Sequence, residues 1–260
     1  MPSLTEHTSS EFVKLMFIGA SGTGKTGALV SLLAAGYELR IIDLDSGLDA
    51  LVNHAKEQRL DLSKVQYQSF RDKMKSSPTG TVSVGAPKAY ANTLTALEKW
   101  DDGSDPASWG PNVILVIDSL TNLGQAAFRW AKHMNPTVKD PRQWYSVAQS
   151  LIDDLLMNVT GEFFKTNVII ISHIEITENK DGTVKHYASA IGKALGPKIP
   201  RNFNTLLLAE SSGTGANVKR KIKTMPTGMV DLKNPAPMRI DAEYPLETGL
   251  ATIFAKLKEK

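Results

Sequence analysis

The sequence predicts an α/β protein: a mostly parallel sheet with helices on both faces and an antiparallel hairpin towards the C-terminus. Three observations carry that expectation. The apolar run Leu15-Met16-Phe17-Ile18 leads into the glycine-rich stretch Gly19-Ala20-Ser21-Gly22-Thr23-Gly24-Lys25-Thr26, and an apolar helical stretch, Ala28 to Ala35, follows at once. Two more apolar runs, Tyr37 to Asp45 and Val113 to Asp118, each end in carboxylates. Short runs of β-favouring apolar residues read as strands buried on both faces, which is how a parallel sheet covered by helices is built. Between these runs lie stretches with helical periodicity or turn chemistry, so strand and helix alternate along the chain.

The glycine-rich stretch fits the pattern G-x-x-x-x-G-K-[ST], which marks a phosphate-binding loop. Its glycines let backbone N–H groups curl round an anion, while the helix that follows points its positive end at the same spot. All eight residues, Gly19, Ala20, Ser21, Gly22, Thr23, Gly24, Lys25 and Thr26, are therefore expected to touch a nucleotide. Lys25 is placed to reach the β- and γ-phosphates, and the Thr26 hydroxyl to meet Mg²⁺. The four fixed positions arise by chance in roughly one chain in a hundred of this length, and the buried strand and helix around them make coincidence rarer. The competing reading is a flexible Gly/Ser turn.

Asp118 closes the run Val113-Ile114-Leu115-Val116-Ile117, so a central parallel strand delivers a carboxylate to the sheet edge where ligands bind. Paired with a phosphate loop upstream, it is the candidate second Mg²⁺ ligand beside Thr26. Asp118-Ser119 also fits as a cap for the helix that begins near Leu120. ATP and Mg²⁺ are the cofactors this pair of motifs implies.

At 260 residues the chain is long enough for one such domain, expected over residues 12–260, after a flexible N-terminus of residues 1–11 and with a loop and helix insertion around 71–111. Composition is ordinary for a globular protein, with 42% apolar and 22% charged residues. Met1 to Phe12 lacks the basic and apolar parts of a secretory signal, and no run approaches the ~18 apolar residues of a membrane span. The absence of cysteine excludes disulfides and thiolate zinc sites and suits a cytoplasmic setting. A net charge of +3 is too small to argue nucleic-acid binding; its distribution is more telling.

Leu48 to Arg59 reads as a helix, Val65 to Phe70 as a short strand, and Arg71 to Pro87 as a mobile loop poor in periodic apolar residues. Helices are expected over Lys88 to Trp100, Leu120 to His133 and Gln143 to Val159. Val168 to Ile171 is a further buried strand, ending in Ser172-His173; a polar segment, Glu175 to Ser189, carries the turn signal Asn179-Lys180-Asp181-Gly182. Thr205 to Ala209 is another buried strand, and the tail from Asn217 alternates charged and apolar residues as an edge hairpin does.

This order of motifs resembles the RecA-like ATPase core shared by recombinases and DnaB-type replicative helicases. Within that class it is most similar to the small phage-encoded ATPases of the Sak group, which act in single-strand annealing and recombination. The resemblance covers roughly residues 12 to 225. In that family the second strand ends I-D-x-[E/D], and the last carboxylate polarises the attacking water; the matching residues are Ile42-Asp43-Leu44-Asp45, which makes Asp45 the candidate base. Asp is one methylene shorter than the more usual Glu, and Asp45 also fits as a cap for the next helix. A later strand ends in a γ-phosphate sensor, a place held here by His173, which also reads as a structural strand-end histidine.

The same resemblance implies two loops facing single-stranded DNA, about Lys132 to Trp144 and Ile174 to Gly192. Charge counting agrees. Thr183 to Ala209 holds Lys185, Lys193, Lys198 and Arg201 with no acidic residue, and Arg129 to Tyr145 holds Arg129, Lys132, Lys139 and Arg142 against Asp140 alone. Trp144, Tyr145 and Tyr187 suit either base stacking or core packing. Cations acting on a neighbouring subunit's nucleotide are expected in the C-terminal hairpin, at Arg220, Lys221 and Lys223.

The function these residues imply is a DNA-stimulated ATPase, a homo-oligomer in ring or filament form, acting on single-stranded DNA in phage recombination, annealing or replication. A single-strand-binding or other phage replication protein is a further expected partner, and the host cytoplasm the expected site. Two alternatives stay open: a ParA-like partition ATPase, although Ala20 and Ser21 stand where that family carries an extra lysine, and a nucleotide-gated scaffold with little turnover.

Overall fold

The structure is a computed structural model that describes residues 11–78, 80–178 and 181–259. The expected flexible N-terminus falls almost wholly outside the described residues, as does half of the turn signal, Asn179 and Lys180. In chain order, β1 (Lys14–Gly19) runs into the glycine loop and a helix interrupted at Leu29, α1 (Lys25–Ala28) and α2 (Val30–Ala34). Next come β2 (Glu38–Asp43), α3 (Asp49–Glu57), β3 (Val65–Ser69), β4 (Met74–Ser77), β5 (Gly80–Ser83) and α4 (Ala89–Glu98). The middle of the chain forms β6 (Gly110–Asp118), α5 (Leu120–Met134), α6 (Pro141–Thr160), β7 (Thr166–Ser172), β8 (Ile174–Glu178) and β9 (Val184–Ala188). After the short α7 (Gly192–Leu195) come β10 (Thr205–Ser212), β11 (Lys219–Lys223), β12 (Glu243–Pro245) and α8 (Leu246–Lys258).

Eight strands make the main sheet, in the order β12-β11-β10-β1-β7-β6-β2-β3. Pairings from β10 across to β3 are parallel, and β11 and β12 close one edge antiparallel. Because consecutive strand residues face opposite sides, Leu15 and Phe17 join one core with α1, α2, α3 and α8, whereas Met16 and Ile18 join the other with α4, α5 and α6. Both faces are therefore covered, which is why the central strands read as unbroken apolar runs. Parallel register then sets the chemistry: Asp43 lies opposite Asp118, Asp118 opposite Ile171, and Ile18 opposite Ser172. The chain leaving β1, β2, β6 and β7 thus emerges at one edge, with the glycine loop at its centre.

Residues 71–87 differ from the irregular loop expected. They contain the hairpin β4–β5, registered from Met74 against Ser83 to Ser77 against Gly80. Both strands are exposed and rich in Ser, Lys and Thr, so no buried face imposes an apolar alternation. Asp72 anchors the insertion: its carboxylate accepts the N–H groups of Lys88 (2.7 Å) and Ala89 (2.9 Å) at the start of α4 and pairs with Arg129 Nε at 2.8 Å. The polar segment after β7 is likewise a hairpin, β8–β9, from Ile174 against Ala188 to Glu178 against Val184. The tail holds the expected antiparallel strands, but ends in α8, whose Leu250, Ile253 and Phe254 are fully buried. No described helix is long and apolar enough to cross a membrane.

Lys14, at the start of β1, is a buried lysine whose Nζ donates to the carbonyls of Val159 (3.1 Å), Phe164 (2.6 Å) and Thr166 (2.8 Å). It ties the end of α6 to β7, and burial pushes its amine down to about 7 from an ordinary 10.5. Between those values the unfolded chain binds the extra proton, so folding stability rises with pH across that window. Lys14→Met should flatten that rise, read from thermal melts at neutral and alkaline pH. Equal slopes in the two proteins would show that Lys14 stays charged when folded.

Candidate functional site

The loop after β1 is shaped by Gly22 (φ 77°) and Gly24 (φ 86°), both in the left-handed region that favours glycine. Space is also tight: a Cβ at Gly19 would stand 2.6 Å from Ala209 O, and one at Gly24 would stand 2.5 Å from Leu246 Cδ2. Lys25 is buried, and its Nζ donates to the carbonyls of Gly19 (2.8 Å) and Ala20 (2.9 Å), so the cation sits under the loop that would wrap a phosphate. Burial holds the Lys25 amine below its usual range, against the pull of Asp118 and Asp45.

Thr26 Oγ1 donates to Asp118 Oδ2 at 2.6 Å, joining the glycine loop to the end of β6. Asp118 is buried, and that burial raises its carboxyl to about 6 despite the Thr26 hydrogen bond, with Asp45 and Asp43 adding like charge. A buried carboxylate beside a hydroxyl is a hard oxygen pair that suits Mg²⁺, which takes one or two protein oxygens and completes its shell with phosphate and water.

Asp45 stands on the short segment leaving β2. Its Oδ1 accepts from Ser119 Oγ (2.8 Å) and Asn122 Nδ2 (2.7 Å), and His173 Nε2 lies 3.5 Å from its Oδ2. Burial alone would raise its carboxyl, but the bonds from His173, Ser119 and Asn122 outweigh it and hold the group below the usual carboxylate range. Asp43 shapes the segment from beneath: its buried carboxylate accepts the N–H groups of Asp45 (3.1 Å) and Ser46 (2.7 Å) and the hydroxyl of Ser69 (2.9 Å). Lys25, Thr26, Asp118, Asp45 and His173, far apart in the chain, are thus brought to one edge. Sequence reasoning did not pick out Ser119 and Asn122 as partners of Asp45. Their spacing, first and fourth around a helix start, is a signal shared with any capped helix.

Comparison with known families settles what kind of domain carries this edge. The family model for the AAA domain AAA_24 matches residues 11–236. The chain belongs to that family. No curated protein sequence matches. Among solved structures, the flagellar accessory protein FlaH from Methanocaldococcus jannaschii is similar at 11% identity and a TM-score of 0.47, over 92% of this chain and 88% of that one. A KaiC-like protein from Pyrococcus horikoshii is similar at 10% identity and a TM-score of 0.41, over 82% and 78%. This AAA domain carries its phosphate-loop motif at one edge of a mostly parallel eight-stranded sheet.

Beside the loop of this AAA_24 domain lies a cavity of about 290 Å³, walled by α1 and α3 on one side (Gly27, His54, Gln58) and by Arg220, Leu246 and Glu247 on the other. A larger cavity of about 410 Å³, between α3 and β3, shares only Asp43 and Ser46 with the Asp45 segment. The hairpin cations are engaged within the chain. Lys221 pairs with Glu243 (2.8 Å) and Glu210 (3.6 Å), Lys223 pairs with Glu210 (3.0 Å), and Arg220 leans over its own loop, its Cδ 3.3 Å from a Cβ built at Gly24.

The basic residues expected at DNA divide in two. Lys185 pairs with Asp231 (2.9 Å), Arg142 with Asp140 (2.8 Å) and Arg201 with Asp153, while Lys132 lies over the Trp144 ring at 5.3 Å. Lys139, Lys193 and Lys198 are exposed. Among the aromatics, Trp144 Nε1 donates to Asn135 O (3.1 Å) and Tyr145 packs on Phe128 with ring centroids 4.5 Å apart. Both contacts belong to the packing of α5 on α6.

Proposed function

We propose that this AAA_24 domain hydrolyses ATP with Mg²⁺ and acts on single-stranded DNA in phage recombination, annealing or replication, as a homo-oligomer. The observation that carries the hydrolytic part is the pairing of two groups at one edge: the Thr26–Asp118 bond of 2.6 Å and an Asp45 carboxylate kept ionised by Ser119, Asn122 and His173. ATP would lie with its phosphates over Gly19 to Thr26. Lys25 then exchanges the Gly19 and Ala20 carbonyls for phosphate oxygens, a move its three donors allow. Mg²⁺, held by Thr26 and Asp118, would neutralise charge on the transferred group. Asp45 orients and deprotonates the attacking water, and His173 reaches the γ-phosphate from the neighbouring strand end. The cavity beside Gly27 has room for the nucleoside.

The DNA part rests on the exposed basic residues Lys139, Lys193 and Lys198 and on the hairpin β8–β9 beside His173. ATPase activity titrated with single-stranded and double-stranded DNA, with particle size measured with and without nucleotide, tests the reading. Turnover raised by single-stranded DNA supports it. Nucleotide-driven assembly with no turnover would favour a nucleotide-gated scaffold instead. Because Lys193 is exposed and Lys185 is already paired with Asp231, Lys193→Ala should reduce the slope of log affinity against log salt by about 0.7, with a smaller change for Lys185→Ala. A slope unmoved by Lys193→Ala would take that residue off the DNA path.

A further inference from the structure

His173 sits against Asp45 just beyond the end of β7. What fixes it is a pair of hydroxyls. Thr121, in the first turn of α5, accepts the His173 N–H at 3.1 Å and donates to the Ser189 carbonyl at 2.9 Å. Ser172, fully buried, lies 3.3 Å from Thr121 Oγ1 and 2.8 Å from both the His173 and Ser189 carbonyls. The chain returns from β9 directly onto α5: a Cβ at Gly124 would stand 2.4 Å from Ala190 O. Ser189 N–H in turn donates to His173 O at 2.8 Å. The same first turn of α5 carries Ser119 and Asn122, which grip Asp45.

We infer that Thr121 is a positioning residue for the hydrolytic step: its hydroxyl fixes the His173 main chain to the helix that also holds Asp45, so that imidazole and carboxylate keep one relative placement. The inference rests on the ATPase reading above and adds to it a residue that acts through His173. Val is close in shape to Thr but can neither accept the His173 N–H nor donate to Ser189, whereas Ser keeps both bonds. Removing the acceptor leaves a part-buried N–H without its partner, and a small drift at His173 is enough to spoil a reacting geometry.

The test uses the full chain. Thr121→Val should lower kcat about tenfold with nucleotide affinity unchanged, and Thr121→Ser should restore most of it. The double variant Thr121→Val with His173→Ala should be no slower than His173→Ala alone, because a residue acting through another adds nothing once that other is gone. Amide hydrogen exchange at His173 should quicken in Thr121→Val without nucleotide, a readout that needs no turnover. A Thr121→Val protein with the parent kcat, losses that multiply in the double variant, or unchanged exchange at His173 would each overturn the inference. If the parent protein turns over ATP and His173→Ala does so equally fast, the His173 role falls and the inference with it. That case is told apart from a failure at Thr121 alone by the His173→Ala arm, and a parent with no turnover overturns both.

Discussion

Asp45→Asn should lower kcat by a factor of about 10² or more while leaving Mg²⁺-ATP affinity within a few-fold of the parent protein. The substitution keeps size and planarity and removes the negative charge, so it isolates the role of the carboxylate. Asp45 makes its contacts away from the glycine loop: Oδ1 accepts from Ser119 and Asn122, and Oδ2 lies against His173. Those bonds keep it ionised below the usual carboxylate range, so the ionisation of Asp45 should not shape the pH profile of turnover from about pH 6 to 8. A binding measurement with a slowly hydrolysed analogue, alongside steady-state turnover, separates the two effects. An Asp45→Asn protein that hydrolyses at the parent rate would hand the water-activating role to another group. A fall in affinity as large as the fall in kcat would mean that the charge serves ground-state binding.

How far these residues were legible in the chain depends on how local their causes are. The glycine loop, Asp118 and the strand ends at Asp45 and His173 were visible because a parallel strand buried on both faces has to be continuously apolar, and the loop has fixed spacing. The insertion was not: β4 and β5 bury no face, so their pairing leaves no pattern in the apolar residues. The basic residues show a third case. No acidic residue lies between Thr183 and Ala209, yet Asp231 and Asp153 fold against Lys185 and Arg201 from 46 and 48 residues away. Local charge counting marks a basic segment but says nothing of its long-range neutralisation. Thr121 and Asn122 were invisible for a related reason: polar residues in a helix's first turn are common, and only the fold shows that these two face the ends of β2 and β7.

Lys25→Met should abolish the thermal stabilisation that Mg²⁺-ATP gives the parent protein and reduce kcat/KM by about 10³ or more, the range expected when a preorganised charge is removed from a phosphoryl-transfer site. The ligand-linked part follows from mass action: a nucleotide present at a hundred times its dissociation constant raises folding stability by about 2.7 kcal/mol, nearly all of it lost once the dissociation constant rises well above the concentration used. Effects on the protein without nucleotide are smaller because they oppose one another. Lys25 is buried and held below its usual range by that burial, so replacing it with an apolar chain removes a desolvation cost. Against that, the Gly19 carbonyl loses the donor at 2.8 Å, while Ala20 O still accepts from the Thr23 hydroxyl at 2.9 Å. Loss of the cation also removes a charge that holds the Asp118 carboxyl down, which should raise that group further. Differential scanning with and without Mg²⁺-ATP therefore reads the two contributions separately. A variant that melts like the parent alone but no longer responds to nucleotide is the expected result. Full retention of the nucleotide-dependent shift in Lys25→Met would mean that the triphosphate is gripped elsewhere, and the assignment of the glycine loop would have to be abandoned.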